Sequence, residues 1–289
     1  MLSTLKNLFK TDSLFGVSFY QGVNHSCDDI ALYLSEYTGG SVDITMDEKS
    51  GIATLLLNHP EKKNSITGRM MVDLANAIKQ LESWETGKGI LIYGADNNFC
   101  SGGDLNFAQK TGTAEGGYKM ATFMQNVLTR LQHLPMLSVA FIEGYAIGGG
   151  AELAISCDFR LFSNKDAAMG FVHSKMGIIP AWGGLTTAIQ TLGYRTALDL
   201  VTTARVVRAA EAEQLGLSDA MVCDLSGALD WLAQRTQHDV SVVRAAKCVA
   251  NNTRQQGSDN LLDFEKRVFS PLWGGPANKL ALSQRIKHK

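Results

Sequence analysis

Twice in this chain a short apolar strand runs into a cluster of glycines and then into a helix, and that repeated unit restricts the fold more than any other feature. The first unit is the strand Gly89-Ile-Leu-Ile-Tyr93, the loop Asn98-Phe-Cys-Ser-Gly-Gly-Asp-Leu105 and a helix expected over Tyr118 to His133. The second is Leu137-Ser-Val-Ala-Phe141, the loop Glu143-Gly-Tyr-Ala-Ile-Gly-Gly-Gly-Ala-Glu152 and a helix over Ala151 to Ser156. Strands that alternate with helices imply an α/β fold with parallel strands and right-handed crossovers. In such sheets ligands collect beyond the carboxyl ends of the strands, where glycine lets backbone N–H groups come close.

The rest of the chain extends this pattern. From Ser41, SVDITMDEKSGIATLLLNHP reads as two strands joined by the turn Glu48-Lys49-Ser50-Gly51 and ended by Pro60. A helix is expected over Thr67 to Ser83, with Met70, Met71, Leu74, Ala77, Ile78 and Leu81 on one stripe. Residues 1–40 read as a leader and an amphipathic helix carrying Ile30, Leu32, Leu34 and Tyr37. Beyond Gly193 the pattern is almost purely helical. The expected division is therefore 1–40, a core over 41–204 and a helical region over 205–289.

Composition narrows the function classes. With 27 basic and 28 acidic residues the net charge is -1, which leaves no electrostatic footprint for nucleic acid or an anionic membrane. Any anionic ligand must be held by local groups. The five cysteines, Cys27, Cys100, Cys157, Cys223 and Cys248, show no CxxC pair and no neighbouring His cluster, so neither a metal site nor a disulfide framework is expected. No apolar run approaches the length of a membrane span. The opening MLSTLKNLFK is weakly like a mitochondrial presequence, but the first Arg is Arg69 and Asp12 follows soon. The cytosol is the expected compartment and the mitochondrion the alternative.

Each glycine loop alone could be a plain turn or a close-packed helix start. Together, two strand–glycine–helix units can aim one N–H each at a single oxygen, which makes an oxyanion hole from two segments. Here the chain resembles the crotonase superfamily, the enoyl-CoA hydratase/isomerase fold, over roughly residues 41–222. The resemblance rests on Asn58-His59-Pro60 with Asn64, on FCSGGDL, on EGYAIGGGAELAISCDFRL and on MGIIPAWGGLT. It implies a ββα-repeat spiral core, a C-terminal helical region that packs against other subunits in a homotrimer or hexamer, and an acyl-CoA thioester as substrate. Coenzyme A is then part of the substrate and no separate cofactor is implied. The family's oxyanion donors fall on Gly103 and Gly149.

Hydratases of this family carry two glutamates near the hole. The first position is Glu152 here, and the second, four residues before Gly177, is His173. Two carboxyl groups activate and deliver water across a double bond, so loss of one argues against efficient hydration. In the family's methylmalonyl-CoA decarboxylases the second position is also not Glu. The expected reaction is decarboxylation of a 2-alkylmalonyl-CoA, with ethyl or methyl as the branch. His173 is expected to touch or orient the leaving carboxylate and Glu152, if protonated, to return a proton to Cα. A hydratase or isomerase of the same fold and a non-catalytic acyl-CoA binder are the alternatives.

Phe171, Ile178, Ile179 and Trp182 are expected to form the apolar acyl pocket, with Trp273 also shaping it. Lys62 and Lys63 are expected at the phosphates of CoA, and the backbone near Ser101 and Asp104 at its adenine, as the resemblance implies.

Overall fold

The computed structural model describes residues 25–255, 261–273 and 275–283, so the leader expected through residue 24 lies outside the described residues. The first element is α1 (Cys27–Ser35), capped by Ser26, whose hydroxyl accepts the N–H of Asp29. It buries Ile30 and Leu34, one helical turn apart, while Leu32 is exposed on the opposite side. Leu32 is therefore not part of the stripe expected from the sequence.

Two strands then open the main sheet. β1 (Ser41–Asp47) and β2 (Ile52–Asn58) are antiparallel, with Ser41 opposite Asn58 and Asp47 opposite Ile52. The turn between them is fixed by Asp47, whose carboxylate accepts the N–H groups of Lys49 and Ser50. Next comes α2 (Gly68–Glu82), where Thr67 caps the N-terminus by accepting the N–H of Met70. Its stripe of Met70, Met71, Leu74, Ala77, Ile78 and Leu81 is buried as the spacing predicts. Each of the larger side chains contributes roughly 1.5–3 kcal/mol through burial, an upper estimate for an extended unfolded reference.

β3 (Gly89–Gly94) follows, then α3 (Leu105–Lys110), α4 (Ala114–His133), β4 (Leu137–Ile142), β5 (Tyr145–Ile147), α5 (Gly149–Ser156) and β6 (Phe159–Phe162). α4 starts four residues before the expected Tyr118, because Thr113 caps it by accepting the N–H of Gly116. The glycine pair Gly116 and Gly117 is carried inside the first turn by that cap. After β7 (Ala168–Gly170) come α6 (Gly184–Leu192) and α7 (Tyr194–Thr203).

The region after residue 204 is not purely helical. β8 (Val207–Arg208) pairs with β7, and β9 (Ala220–Met221) pairs with β6. Two residues are too few for an alternating pattern to be read, and each strand is held in place by tertiary pairing. The helices α8 (Ala209–Leu215), α9 (Leu225–Arg235), α10 (Val240–Gln255), α11 (Leu261–Phe269) and α12 (Pro276–Ser283) complete the described chain. No helix among the described residues is long and apolar enough to cross a membrane.

The main sheet has the order β1-β2-β3-β4-β6-β9, parallel from β2 onward, and the smaller sheet has the order β5-β7-β8. β3 and β4, central and buried on nearly every residue, end at the two glycine loops. Polar clamps fix α10 to this core. Lys247 of α10 pairs with Asp158, and Arg244 donates to the carbonyls of Trp84 and Glu85 at 2.8 and 2.9 Å.

Candidate active site

The two glycine loops are stitched together by main-chain hydrogen bonds. Cys100 N–H donates to the Tyr145 carbonyl at 2.9 Å, and Ile147 N–H donates to the Cys100 carbonyl at 2.9 Å. The first loop is tied on its other side to Ile66, which donates to the Gly102 carbonyl at 2.8 Å and accepts from Asp104 at 2.9 Å. At Gly102 and Gly150 these contacts leave no room for a side chain. Gly102 has φ 107°, and a Cβ on Gly150 would lie 2.4 Å from the Cys100 carbonyl oxygen.

Asn64 explains the Asn-His-Pro segment. Held at φ 55°, its amide oxygen accepts from His59 N–H at 2.9 Å, and its nitrogen donates to the carbonyls of Ala95 and Asn98 at 2.8 and 2.6 Å. One buried amide thereby joins the end of β2 to the turn that leads into the first glycine loop. Its three hydrogen bonds satisfy most of its capacity, as a buried polar group requires.

Gly103 and Gly149 make no hydrogen bonds through their N–H groups among the described residues. Gly149 is the first residue of α5, where N–H groups lack intrahelical partners and the helix dipole favours negative charge. Gly103 lies between the two residues that bridge to Ile66, and a Cβ there would meet nothing within 4 Å. The loops touch beside it, since a Cβ on Gly102 would stand 3.6 Å from the Gly149 nitrogen. Two unpartnered donors on adjoining loops are what a developing oxyanion needs.

One turn along α5, Glu152 is 1% exposed. Its Oε1 accepts the N–H groups of Trp182 and Gly184 at 2.8 and 3.0 Å, and its Oε2 meets His173 Nε2 at 3.0 Å. His173, 7% exposed, lies on a short 3-10 turn, Val172–Met176. Its Nδ1 is shielded from solvent and has no hydrogen-bond partner among the described residues. Both Glu152 oxygens are therefore engaged, and the free polar atom of the couple belongs to His173. The sequence alone identifies both residues but not their bond, nor the two N–H donors from the Trp182-Gly183-Gly184 turn.

The remaining candidate residues fall into two groups. Trp182 and Phe171 are buried beside this couple and its turn, and the Trp182 ring lies directly on Gly149. Within one chain Ile178 and Ile179 are exposed rather than buried with Trp182. Gly177 takes φ 71° and turns the chain outward, leaving Ile179 69% exposed. Trp273 is 73% exposed and packs on Phe269, where it lines a groove with Gln237, His238 and Val242 rather than the glycine loops. Within one chain, then, Ile178, Ile179 and Trp273 are exposed while Trp182 is buried.

Lys62 and Asp104 line one cleft of about 230 Å³ together with Lys110. Ser101 links this turn to the first glycine loop, its N–H donating to the Lys63 carbonyl and its hydroxyl to the Lys62 carbonyl, both at 3.0 Å. The Asp104 carboxylate is taken up by capping α3, accepting the N–H of Phe107 at 2.8 Å. Lys110 and the whole of α3 go unseen in a reading of the sequence as a loop. The available signal is Asp104 as N-cap before Phe107, which is buried.

Burial pushes the Cys100 thiol up to about 12. It therefore stays protonated at neutral pH and is no nucleophile. Its sulfur instead accepts the Gly102 N–H at 3.4 Å under the loop.

Comparison with known proteins agrees with this geometry. Residues 47–274 match the family model described as Enoyl-CoA hydratase/isomerase. The ethylmalonyl-CoA decarboxylase of Xenopus laevis is 43% identical, covering 89% of this chain and 87% of that protein. That of Gallus gallus is 41% identical and covers 98% of each. Among solved structures, an enoyl-CoA hydratase from Thermoplasma volcanium superposes with a TM-score of 0.77 at 29% identity, covering 85% of this chain and 97% of the other. A Thermobifida fusca protein solved in complex with acetoacetyl-CoA gives a TM-score of 0.71 at 25% identity, with coverage of 85% and 97%.

Proposed function

The chain belongs to the enoyl-CoA hydratase/isomerase family, and from that premise we propose that it removes carbon dioxide from 2-alkylmalonyl-CoA thioesters, converting ethylmalonyl-CoA to butyryl-CoA and methylmalonyl-CoA to propionyl-CoA. The observation that carries this reading is the Glu152–His173 bond. The site holds one carboxylate, not a facing pair, and both oxygens of that carboxylate are already bonded. Water activation by two carboxyl groups has no counterpart here. Decarboxylation needs no activated water, and the names carried by the relatives of Xenopus laevis and Gallus gallus support the same substrate class.

In the reaction the bond between Cα and the carboxylate carbon breaks, and its electron pair passes through Cα to the thioester oxygen. The N–H groups of Gly103 and Gly149 hold that oxygen. Such a donor is worth on the order of 3 kcal/mol in activation free energy. Carbon dioxide leaves, and Cα takes one proton. His173 returns it from Nδ1, while Glu152 fixes the ring through Nε2. Glu152, which the sequence suggests as the proton donor, acts here by holding His173. The buried faces of Trp182 and Phe171 exclude water from the enolate.

Lys62 and Lys110, on the cleft beside the Ser101 turn, meet the phosphates of CoA, and Lys63, next along the chain, is a further candidate. The protein works as a homotrimer or hexamer, a reading supported by the exposed Phe269 at the end of α11 and Trp273 in the turn after it. Five free cysteines fit a cytosolic site of action.

Incubation with ethylmalonyl-, methylmalonyl- and crotonyl-CoA, followed by mass spectrometry, tests the reaction. Loss of 44 mass units, about one carbon dioxide, is expected from the malonyl thioesters, with crotonyl-CoA unchanged. Hydration of crotonyl-CoA without any decarboxylation sinks the proposal.

A further inference from the structure

The indole of Trp182 stands between the second glycine loop and a groove. One edge lies on the oxyanion loop, since a Cβ on Gly149 would come within 2.5 Å of its Cη2 and 2.6 Å of its Cζ3. The residue also lines an open groove of about 510 Å³, shared with Gln125, Leu128, Thr129, Gln132 and Thr187. The residue is 4% exposed, so the wall it forms is closed. It is also held from both ends. Its Nε1–H donates to the Met120 sulfur at 3.2 Å, and the preceding carbonyl, of Ala181, accepts from Gln125 Nε2 at 2.8 Å.

Here one ring separates the backbone that binds the thioester oxygen from a volume able to take several methylenes. The groove is rich in polar groups, with Gln125, Gln132, Thr129 and Thr187 on its walls. Its connection to the acyl site would admit longer branches and also water.

We infer that Trp182 is a specificity-determining partition, which limits the length of the 2-alkyl branch by sealing the acyl site from this side groove. The inference rests on the decarboxylase reading of the site. The Trp182 N–H that holds Glu152 belongs to the backbone, so replacing the ring leaves the Glu152–His173 bond in place.

The test compares ethylmalonyl-CoA with butylmalonyl-CoA in native enzyme, Trp182→Leu and Trp182→Phe. In Trp182→Leu the butyl-to-ethyl ratio of kcat/KM should rise at least about tenfold, the scale of one methylene accommodated or refused in an apolar pocket. Trp182→Phe should show a smaller rise. Adding Thr129→Phe, which fills the groove from its exposed side, should withdraw the gain in the Leu background. A ratio unchanged in the folded variants overturns the inference, as does a gain that Thr129→Phe leaves intact. If Trp182→Leu does not fold, Trp182→Phe decides alone, with propylmalonyl-CoA as the longer substrate. Native enzyme that decarboxylates none of these thioesters refutes the decarboxylase reading instead, which keeps the two failures apart.

Discussion

Two buried charged corners of this molecule are built from similar parts and are finished differently. At the Asp158 corner, Oδ2 accepts both the N–H and the hydroxyl of Ser138, at 2.8 and 3.1 Å, and Oδ1 takes the ammonium of Lys247. The Ser138 hydroxyl accepts the Asp158 N–H in return, at 2.9 Å. At the Glu152 corner the carboxylate is equally well bonded, but its ring partner keeps one shielded nitrogen, His173 Nδ1, without a partner. A complete network joins α10 to the sheet. The incomplete one leaves a nitrogen that a bound molecule can complete; the other shielded side-chain atoms without a hydrogen-bond partner among the described residues, His25 Nε2 and Ser65 Oγ, lie away from this couple.

The strongest way to break this comparison is to damage the complete corner. Lys247→Met leaves the Asp158 carboxylate without its cation, and loss of one partner of a buried pair costs about 3–5 kcal/mol. The urea midpoint should fall accordingly, while kcat per folded molecule stays native. A loss of kcat as large as the loss of stability would show that the two corners are not separate in function.

The opposite pattern is expected at the other corner. Glu152→Gln keeps the volume and removes the charge that holds His173, so kcat should fall on the order of 10²–10³-fold with a much smaller change in the midpoint. His173→Ala should lower kcat on the order of 10²-fold. Native activity in His173→Ala removes that residue from the mechanism.

A fully buried thiol lies near each corner, and pH sharpens the contrast in stability. Burial raises Cys100 and Cys157 to about 12 from the ordinary 9.0. Both thiols bind their protons more tightly in the folded state, so their contribution to stability is complete below about 9 and is lost as pH rises from there towards about 12. Each should steepen the decline by on the order of 1 kcal/mol per pH unit. Denaturation midpoints at neutral and alkaline pH should fall less in Cys157→Ala than in the native protein.

The smallest effect is expected at Gly103→Ala. The N–H is retained and a Cβ meets nothing within 4 Å, so stability should change by no more than about 0.5 kcal/mol. A shift of several degrees in Tm would mean that the loop is tighter than its geometry indicates.

Periodicity and glycine placement in the sequence specify β1 to β4, the stripe of α2 and both glycine loops, because each of these follows from local spacing. What escapes is what tertiary partners decide. Ile178 and Ile179 read as wall residues by hydrophobicity, yet the positive φ of Gly177 sends them outward. β8 and β9 exist only through their pairing with β7 and β6. At the site, Glu152 and His173 are legible as positions. Their mutual bond is not, because a sequence does not say which way a buried carboxylate points. The N–H groups of Trp182 and Gly184 fix that direction.

The bonds that run from Cys100 to Tyr145 and from Ile147 back to Cys100 also make the two donor loops one mechanical part. Any shift of the surrounding helices carries Gly103 and Gly149 together, as a gauge block keeps its length when the bench moves. Replacement of the neighbouring side chains leaves the spacing of the two glycines as it is, because that spacing is set by main-chain bonds that no such replacement touches.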